Sequence, residues 1–319
     1  MEQQTPRQPR FGSRRPATGR QPTPARFRAR IQVACAAGLA LVLALGIYSF
    51  ADRSTAADLT KTSAATTGEA SASPSASPEA AAPASRTVDA ALGARIQTIL
   101  DANSQYQVGV AVVDLSQNAG SGDVTEYGVR DKFVAASTAK VLAAAAYYHL
   151  VETGAATLDD PLGSYTAGFQ LREMIQQSDN DSWSLIMNAV GHEELTEYAA
   201  SLGVSYDPTT NTLTPAEMAT IVSRLYSGTL LNAGDTAQLL SYMQDTNYET
   251  LIPAAVPAGI TVFHKYGLLG GELHDAAILT QGDAAYALVI YTKGQGLSDD
   301  PERTEVIHQL TQAVAGVLF

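Results

Sequence analysis

From Phe133 to Tyr148 the chain is apolar on every side of a helix drawn through it. The run Phe133-Val134-Ala135-Ala136-Ser137-Thr138-Ala139-Lys140-Val141-Leu142-Ala143-Ala144-Ala145-Ala146-Tyr147-Tyr148 is broken only by Ser137, Thr138 and Lys140. Its alanine and leucine content and the stop at Gly154 predict a helix starting near Ser137. With no polar face, such a helix has to be buried. Other elements follow from periodicity and turn chemistry. Val88 to Ala102 predicts a helix. Gln107 to Asp114 predicts a strand, closed by the turn-forming stretch Gln117 to Asp123, and Val124 to Tyr127 completes a hairpin. Helical patterning recurs over roughly 171–177, 181–190, 193–202, 215–226 and 233–244. Strands over about 260–265, 275–281 and 285–292 precede a last helix from about Pro301 to Leu318. Strands at both ends with helices between them predict an α/β fold of the α+β type. One antiparallel sheet would be built from both ends of the domain, with a helical insertion.

The first 86 residues follow a different pattern. Residues 1–30 hold eight arginines and one acid, with much proline and glutamine, and nothing there can build a core. Residues 31–50 are apolar apart from Gln32 and Ser49. At about 1.5 Å per residue a helix of that length spans the roughly 30 Å hydrocarbon core of a bilayer. The basic flank keeps the N-terminus cytoplasmic, which predicts a single-pass signal anchor in the cell membrane. A signal peptide cleaved near Ser49-Phe50-Ala51, giving a secreted protein, is the alternative. Residues 51–86 are rich in alanine, serine, threonine and proline and read as a linker with a mean reach of roughly 30 Å. The domain proper is therefore expected at 87–319, outside the cytoplasm.

Charge and cysteine content narrow the chemistry. The domain carries 9 Lys/Arg against 27 Asp/Glu, a net charge of −18, which disfavours nucleic acid and anionic lipid surfaces. The only cysteine, Cys35, lies in the apolar span, so the domain has no disulfide, no thiol nucleophile and no cysteine metal site. His192-Glu193-Glu194-Leu195-Thr196 lacks the second histidine of a zinc-protease helix. Asp179-Asn180-Asp181 lacks the glycine and distal glutamate of a calcium loop. No metal and no cofactor is expected, and the domain is expected to be a monomer.

Against this background Lys140 stands out. It falls in the first turn of a buried helix, where the dipole disfavours a cation and burial removes its water. Ser137 lies three residues earlier on the same face. A serine beside a lysine pushed toward neutrality is a nucleophile with a base. A solvated Ser-x-x-Lys is the plain alternative. Two further groups lie downstream: Ser178-Asp179-Asn180 between two predicted helices, and Lys265-Tyr266-Gly267, which is expected to end a strand and open a turn. Taken singly, the first reads as a helix-capping loop and the second as a solvated strand end.

In order and setting, the three groups resemble the class A β-lactamases and the penicillin-binding proteins, marked by Ser-x-x-Lys on a helix, Ser-Asp-Asn in a loop and Lys-Thr-Gly on a strand. Lys132 to Ser137, Met174-Ile175, Thr214-Pro215-x-x-Met218-Ala219 and Ala287 to Thr292 are also similar to that family. The resemblance implies a β-lactamase/transpeptidase-like fold and an enzyme that transfers acyl groups of β-lactams or cell-wall peptides. In that scheme Ser137 is the acylated nucleophile and Lys140 its base. Ser178 hands a proton to the leaving nitrogen, bridging Lys140 and Lys265. The backbone N–H groups of Ser137 and Leu268 form the oxyanion hole. Asn180, Tyr266, Gly267 and His274 line the substrate, Lys265 and His274 on its carboxylate side.

The sequence also departs from that pattern. Tyr266 replaces the usual threonine or serine, which puts carboxylate recognition in doubt. His274 stands where many class A enzymes place an arginine, and ordering Asp275 is its alternative role. Val204 to Thr214 holds no glutamate to activate a deacylating water. Glu217 is the nearest candidate, but Thr214-Pro215-Ala216-Glu217 reads as a capping box. Slow deacylation is therefore expected. A D-alanyl-D-alanine peptidase-like enzyme and a non-catalytic wall-binding domain are the alternative functions.

Overall fold

Two apolar strands near the C-terminus and one near the N-terminus carry buried residues at almost every position, which requires a sheet covered on both faces. The computed structural model describes residues 90–116 and 122–319. In chain order the elements are α1 (Ala90–Ala102), β1 (Gln107–Asp114), β2 (Thr125–Gly128), β3 (Phe133–Val134), a 3₁₀ turn (Ala136–Ala139), α2 (Lys140–Glu152), β4 (Pro161–Leu162), β5 (Tyr165–Thr166), α3 (Ala167–Gln176), α4 (Asn180–Val190), α5 (His192–Ser201), β6 (Thr212–Leu213), α6 (Pro215–Tyr226), α7 (Ala233–Tyr242), α8 (Ile252–Ala255), β7 (Thr261–Leu269), β8 (Glu272–Gln281), β9 (Ala284–Lys293) and α9 (Asp300–Leu318). The main sheet is antiparallel throughout, in the order β2-β1-β9-β8-β7. It is built from both ends of the domain, as the strand pattern requires.

On one face α1 and α9 seal a core of Leu92, Ile96, Val306 and Leu310 against Val110, Leu288 and Leu279. On the other lie α6 and the helical insertion. The β3 strand pairs with β6, Phe133 opposite Leu213 and Val134 opposite Thr212, so the approach to Ser137 is tied to the chain just before α6. Arg303 of α9, fully buried, donates from Nη1 to the Gly271 carbonyl at 2.6 Å and pairs with Asp299 and Asp300.

Three local outcomes differ from the sequence expectation. The Ser137 segment is a 3₁₀ turn, and the α-helix starts only at Lys140. The strand expected to end at Lys265 continues to Leu269, because Leu268 and Leu269 extend its ladder to the turn at Gly270. Lys265-Tyr266-Gly267 therefore lies within an edge strand and opens no turn. The two-residue strands β3 to β6 are too short to leave a periodic signal. No helix among the described residues is long and apolar enough to cross a membrane. Residues 1–89, including the apolar span 31–50, and the turn residues 117–121 lie outside the described residues.

A buried ionic group braces β7. The His264 ring places Nδ1 2.9 Å from Asp275 Oδ1 and Nε2 3.2 Å from Glu249 Oε1 and 3.1 Å from Thr246 Oγ1. Burial alone would lower the imidazole, but the two carboxylates outweigh it and raise it to about 9. A raised histidine stabilises the fold fully below its unfolded value, and that stability is lost as pH rises through the folded one. Urea unfolding should therefore show stability falling between about pH 6.5 and 9, by up to roughly 3 kcal/mol. His264→Gln should flatten that slope; an unchanged slope in the variant would assign it to other groups.

Candidate active site

The site is assembled from three separated segments. The 3₁₀ turn carries Ser137, half-buried, and leads straight into Lys140, which is 3% exposed. Side chains three apart eclipse one another in a 3₁₀ turn, so the two share a face. Thr138, within the same turn, donates to or accepts from Tyr291 of β9 at 2.6 Å and pins the turn to the sheet.

The second segment is Ser178-Asp179-Asn180. Asp179 caps α4, accepting from the Ser182 N–H at 2.6 Å. The capping role is thus real, and it falls on the middle residue of the three. The flanking residues face Lys140. Its Nζ donates to the Ser178 carbonyl at 2.6 Å and to Asn180 Oδ1 at 2.7 Å, with Ser178 Oγ at 3.4 Å and the Asp179 carbonyl at 3.3 Å. A neutral amine has two N–H donors; the two short contacts satisfy both and leave the lone pair unused.

The third segment is β7. Lys265, fully buried, donates to Ser178 Oγ at 2.9 Å and to the Tyr266 carbonyl at 3.0 Å. Ser178 Oγ therefore lies between two lysine amines. Burial lowers Lys140 to about 8, against a smaller upward pull from Asp179. Lys265 is pushed well below the usual lysine range, first by burial and then by the charge of Lys140.

Gly267 explains how β7 meets the serine. A Cβ there would lie 3.1 Å from the Ser137 nitrogen, the Ala135 carbonyl oxygen and the Ala136 Cβ. A side chain there would force the Ser137 turn to give way by a few tenths of an ångström, and glycine avoids this. Leu268 follows on the same edge strand, 37% exposed.

Two expected substrate contacts are placed differently. His274 is fully buried and stacks on Tyr291 with ring centroids 4.1 Å apart. Its Nε2 donates to the Val134 carbonyl at 3.0 Å, and its Nδ1 accepts from the Thr292 N–H at 3.1 Å. Burial lowers it to about 4, so it is neutral and both nitrogens are used. This corrects the expectation that His274 lines the carboxylate site: it holds β3 in place. Asp275 is ordered by His264 instead. Tyr266 lies beside the site, but its hydroxyl donates to Asn247 Oδ1 at 2.8 Å, and its ring sits 3.9 Å from Lys265 Nζ. Asn247, in the loop after α7, left no signal in the sequence.

Glu217 is fully engaged away from the serine. Its carboxylate accepts from the Thr214 N–H at 2.8 Å and the Ser205 N–H at 3.0 Å, and pairs with Lys132 at 3.4 Å. The capping box expected there is present. Among the described residues no group of three His, Cys, Asp or Glu side chains could hold a metal ion.

Known proteins resemble this chain in sequence and fold. A family model described as "Beta-lactamase enzyme family" matches residues 91–318. The chain is 27% identical to the β-lactamase CTX-M-8 of Citrobacter amalonaticus, over 60% of this chain and 78% of that one. A mutant of PBP-A, solved as an acyl-enzyme complex with penicillin G, superposes with a TM-score of 0.64 at 25% identity, covering 70% of this chain and 95% of that one. A mutant of the reconstructed class A β-lactamase of the last common ancestor of Gram-negative bacteria gives 0.64 at 24% identity, covering 70% and 97%.

The close approach at Gly267 is directly testable. Gly267→Val should press on the backbone of the Ser137 turn and destabilise the protein by about 1–3 kcal/mol in urea unfolding. Wild-type stability in that variant would mean that the turn yields without cost.

Proposed function

The chain belongs to the β-lactamase enzyme family, and on that premise we propose that it is an extracytoplasmic serine hydrolase forming a Ser137 acyl-enzyme with β-lactams or related cell-wall peptides. The observation that carries this reading is Ser178 Oγ between Lys140 and Lys265. It offers the second proton transfer that acyl transfer from nitrogen needs. Ser137 Oγ attacks the carbonyl carbon while neutral Lys140 takes its proton. The charge that develops on oxygen is held by the N–H groups of Ser137 and Leu268. Collapse breaks the C–N bond, and Ser178 gives its proton to the departing nitrogen and is resupplied from the flanking lysines. Asn180, Tyr266 and Gly267 line the substrate, and Lys265 draws its carboxylate.

Deacylation is the slow step in this scheme. The loop from Val204 to Thr214 has no glutamate, and Glu217 is occupied as a cap. General-base catalysis is worth about 10²–10⁴-fold, and its loss leaves the ester long-lived. That favours, as a second reading, a penicillin-binding D-alanyl-D-alanine peptidase-like enzyme over an efficient β-lactamase. The acyl-enzyme captured with penicillin G in the PBP-A mutant is the kind of species expected to accumulate here.

Intact-mass analysis after a labelled penicillin should show a burst and a persistent adduct on Ser137, absent in Ser137→Ala. The acylation rate should climb as pH rises through about 8, where Lys140 gives up its proton, and level off above. Glu217→Gln should leave the slow turnover almost unchanged. Fast turnover without a burst, lost in Glu217→Gln, would instead make Glu217 the missing base.

The location of the domain rests on residues 31–50 acting as an anchor, with 1–30 in the cytoplasm and 51–86 as a spacer. A reporter active only outside the cytoplasm, fused after Phe319, should be active. Activity of a cytoplasm-only reporter at the same place would reverse the topology.

A further inference from the structure

Ala136, immediately before Ser137, has a φ of 49°, in the left-handed region that alanine disfavours. Something must hold it there, and the contacts around it identify Asn211. Asn211 Nδ2 donates to the Ala136 carbonyl at 3.1 Å, and the Asn211 carbonyl accepts from the Ala135 N–H at 2.7 Å. A carbonyl can only accept, so the Asn211 amide is oriented without ambiguity. Its Oδ1 in turn accepts from the hydroxyl of Tyr206 at 2.9 Å, and Tyr206 is itself buried. Asn211 has a φ of 52°, a conformation that asparagine tolerates better than most residues.

The consequence follows from peptide planarity. The Ala136 carbonyl and the Ser137 N–H belong to one planar, trans peptide unit and point in opposite directions. Fixing the carbonyl toward Asn211 aims the N–H away from the 203–211 loop. The opposite side is where β7 approaches, with Gly267 beside the Ser137 nitrogen. Rotation of this peptide, which changes ψ of Ala136 and φ of Ser137, would turn the N–H out of the cleft.

We infer that Asn211, held by Tyr206, is a positioning residue that locks the Ala136–Ser137 peptide so that the Ser137 N–H serves as an oxyanion donor. This rests on the reading of Ser137 as the acylated nucleophile. The short loop would then act on the first half of the reaction, acylation, although it carries no glutamate for the second.

Asn211→Asp keeps the shape and the tolerance of the left-handed region, but an ionised carboxylate cannot donate to the Ala136 carbonyl. Outright loss of an oxyanion donor costs about 10²–10³-fold, so a misaimed one should slow acylation by about tenfold or more. Binding of the penicillin before acylation should change little. The ester carbonyl stretch of the acyl-enzyme, read by infrared difference spectroscopy with a ¹³C-labelled carbonyl, should move to higher wavenumber as its hydrogen bond weakens. A purely structural role would not move that band in a folded variant. Asn211→Gly, which takes the left-handed conformation freely and adds no charge, should behave in the same way and carries the test if the aspartate variant misfolds. Tyr206→Phe should give a smaller effect in the same direction. Wild-type acylation rates with an unshifted band in Asn211→Asp or Asn211→Gly would overturn the inference. Absence of any Ser137 adduct in the wild type would instead refute the parent reading.

Discussion

Two buried lysine side chains face one serine, and the site is organised around that constraint. Lys140 and Lys265 are both buried, and the charge of Lys140 disfavours that of Lys265. Ser178 is the group placed between them, with its carbonyl and hydroxyl turned to Lys140 and its hydroxyl to Lys265. Asn180 and the Tyr266 carbonyl supply the remaining acceptors. A buried amine without acceptors would be costly. The same contacts that make the lysines tolerable put the Ser178 hydroxyl within reach of both amines.

The backbone shows what holding this arrangement requires. Ala136 and Ser178, one beside Ser137 and the other between the two lysines, both have positive φ. Such conformations cost of order 1–3 kcal/mol each and persist only where the surroundings over-determine them. Around Ala136 those surroundings are Asn211, the Thr138–Tyr291 contact and the β3–β6 pairing. After Ser178 they are the Asp179 cap and the first turn of α4. His274 belongs to the same scaffold: by bonding the Val134 carbonyl, it fastens the strand that delivers the nucleophile turn.

The loop before α6 illustrates how one short segment can carry one part of a mechanism and not another. Its last turn presents Asn211 to the Ala136–Ser137 peptide, while the Glu217 carboxylate is committed to closing the N-terminus of α6 and that of Asp207 to Thr209 and Thr210 within the loop. Releasing Glu217 would leave the Thr214 and Ser205 N–H groups unsatisfied. Helix capping and water activation compete for the same carboxylate, and capping has taken it.

The sequence by itself determined the antiparallel sheet from both chain ends, the buried helix and the residues that converge, because each depends on local signals: β-branched runs, an all-round apolar helix and short motifs on recognisable elements. Even the capping box at Thr214 was legible, since both partners lie within one turn. Only the tertiary structure decided the rest. The chain pattern of Lys265-Tyr266-Gly267 suggested a turn, but Gly267 is there because another backbone passes beside it, and that approach comes from a segment 130 residues earlier. His274 looked available to a substrate until Phe133, Tyr291 and the Val134 carbonyl closed around it. Asn211, Asn247 and Tyr206 carried no motif at all. Their roles depend on which carbonyl or hydroxyl lies within 3 Å or so across the fold, and hydrogen bonds of that reach between distant segments leave no periodicity for a sequence to display.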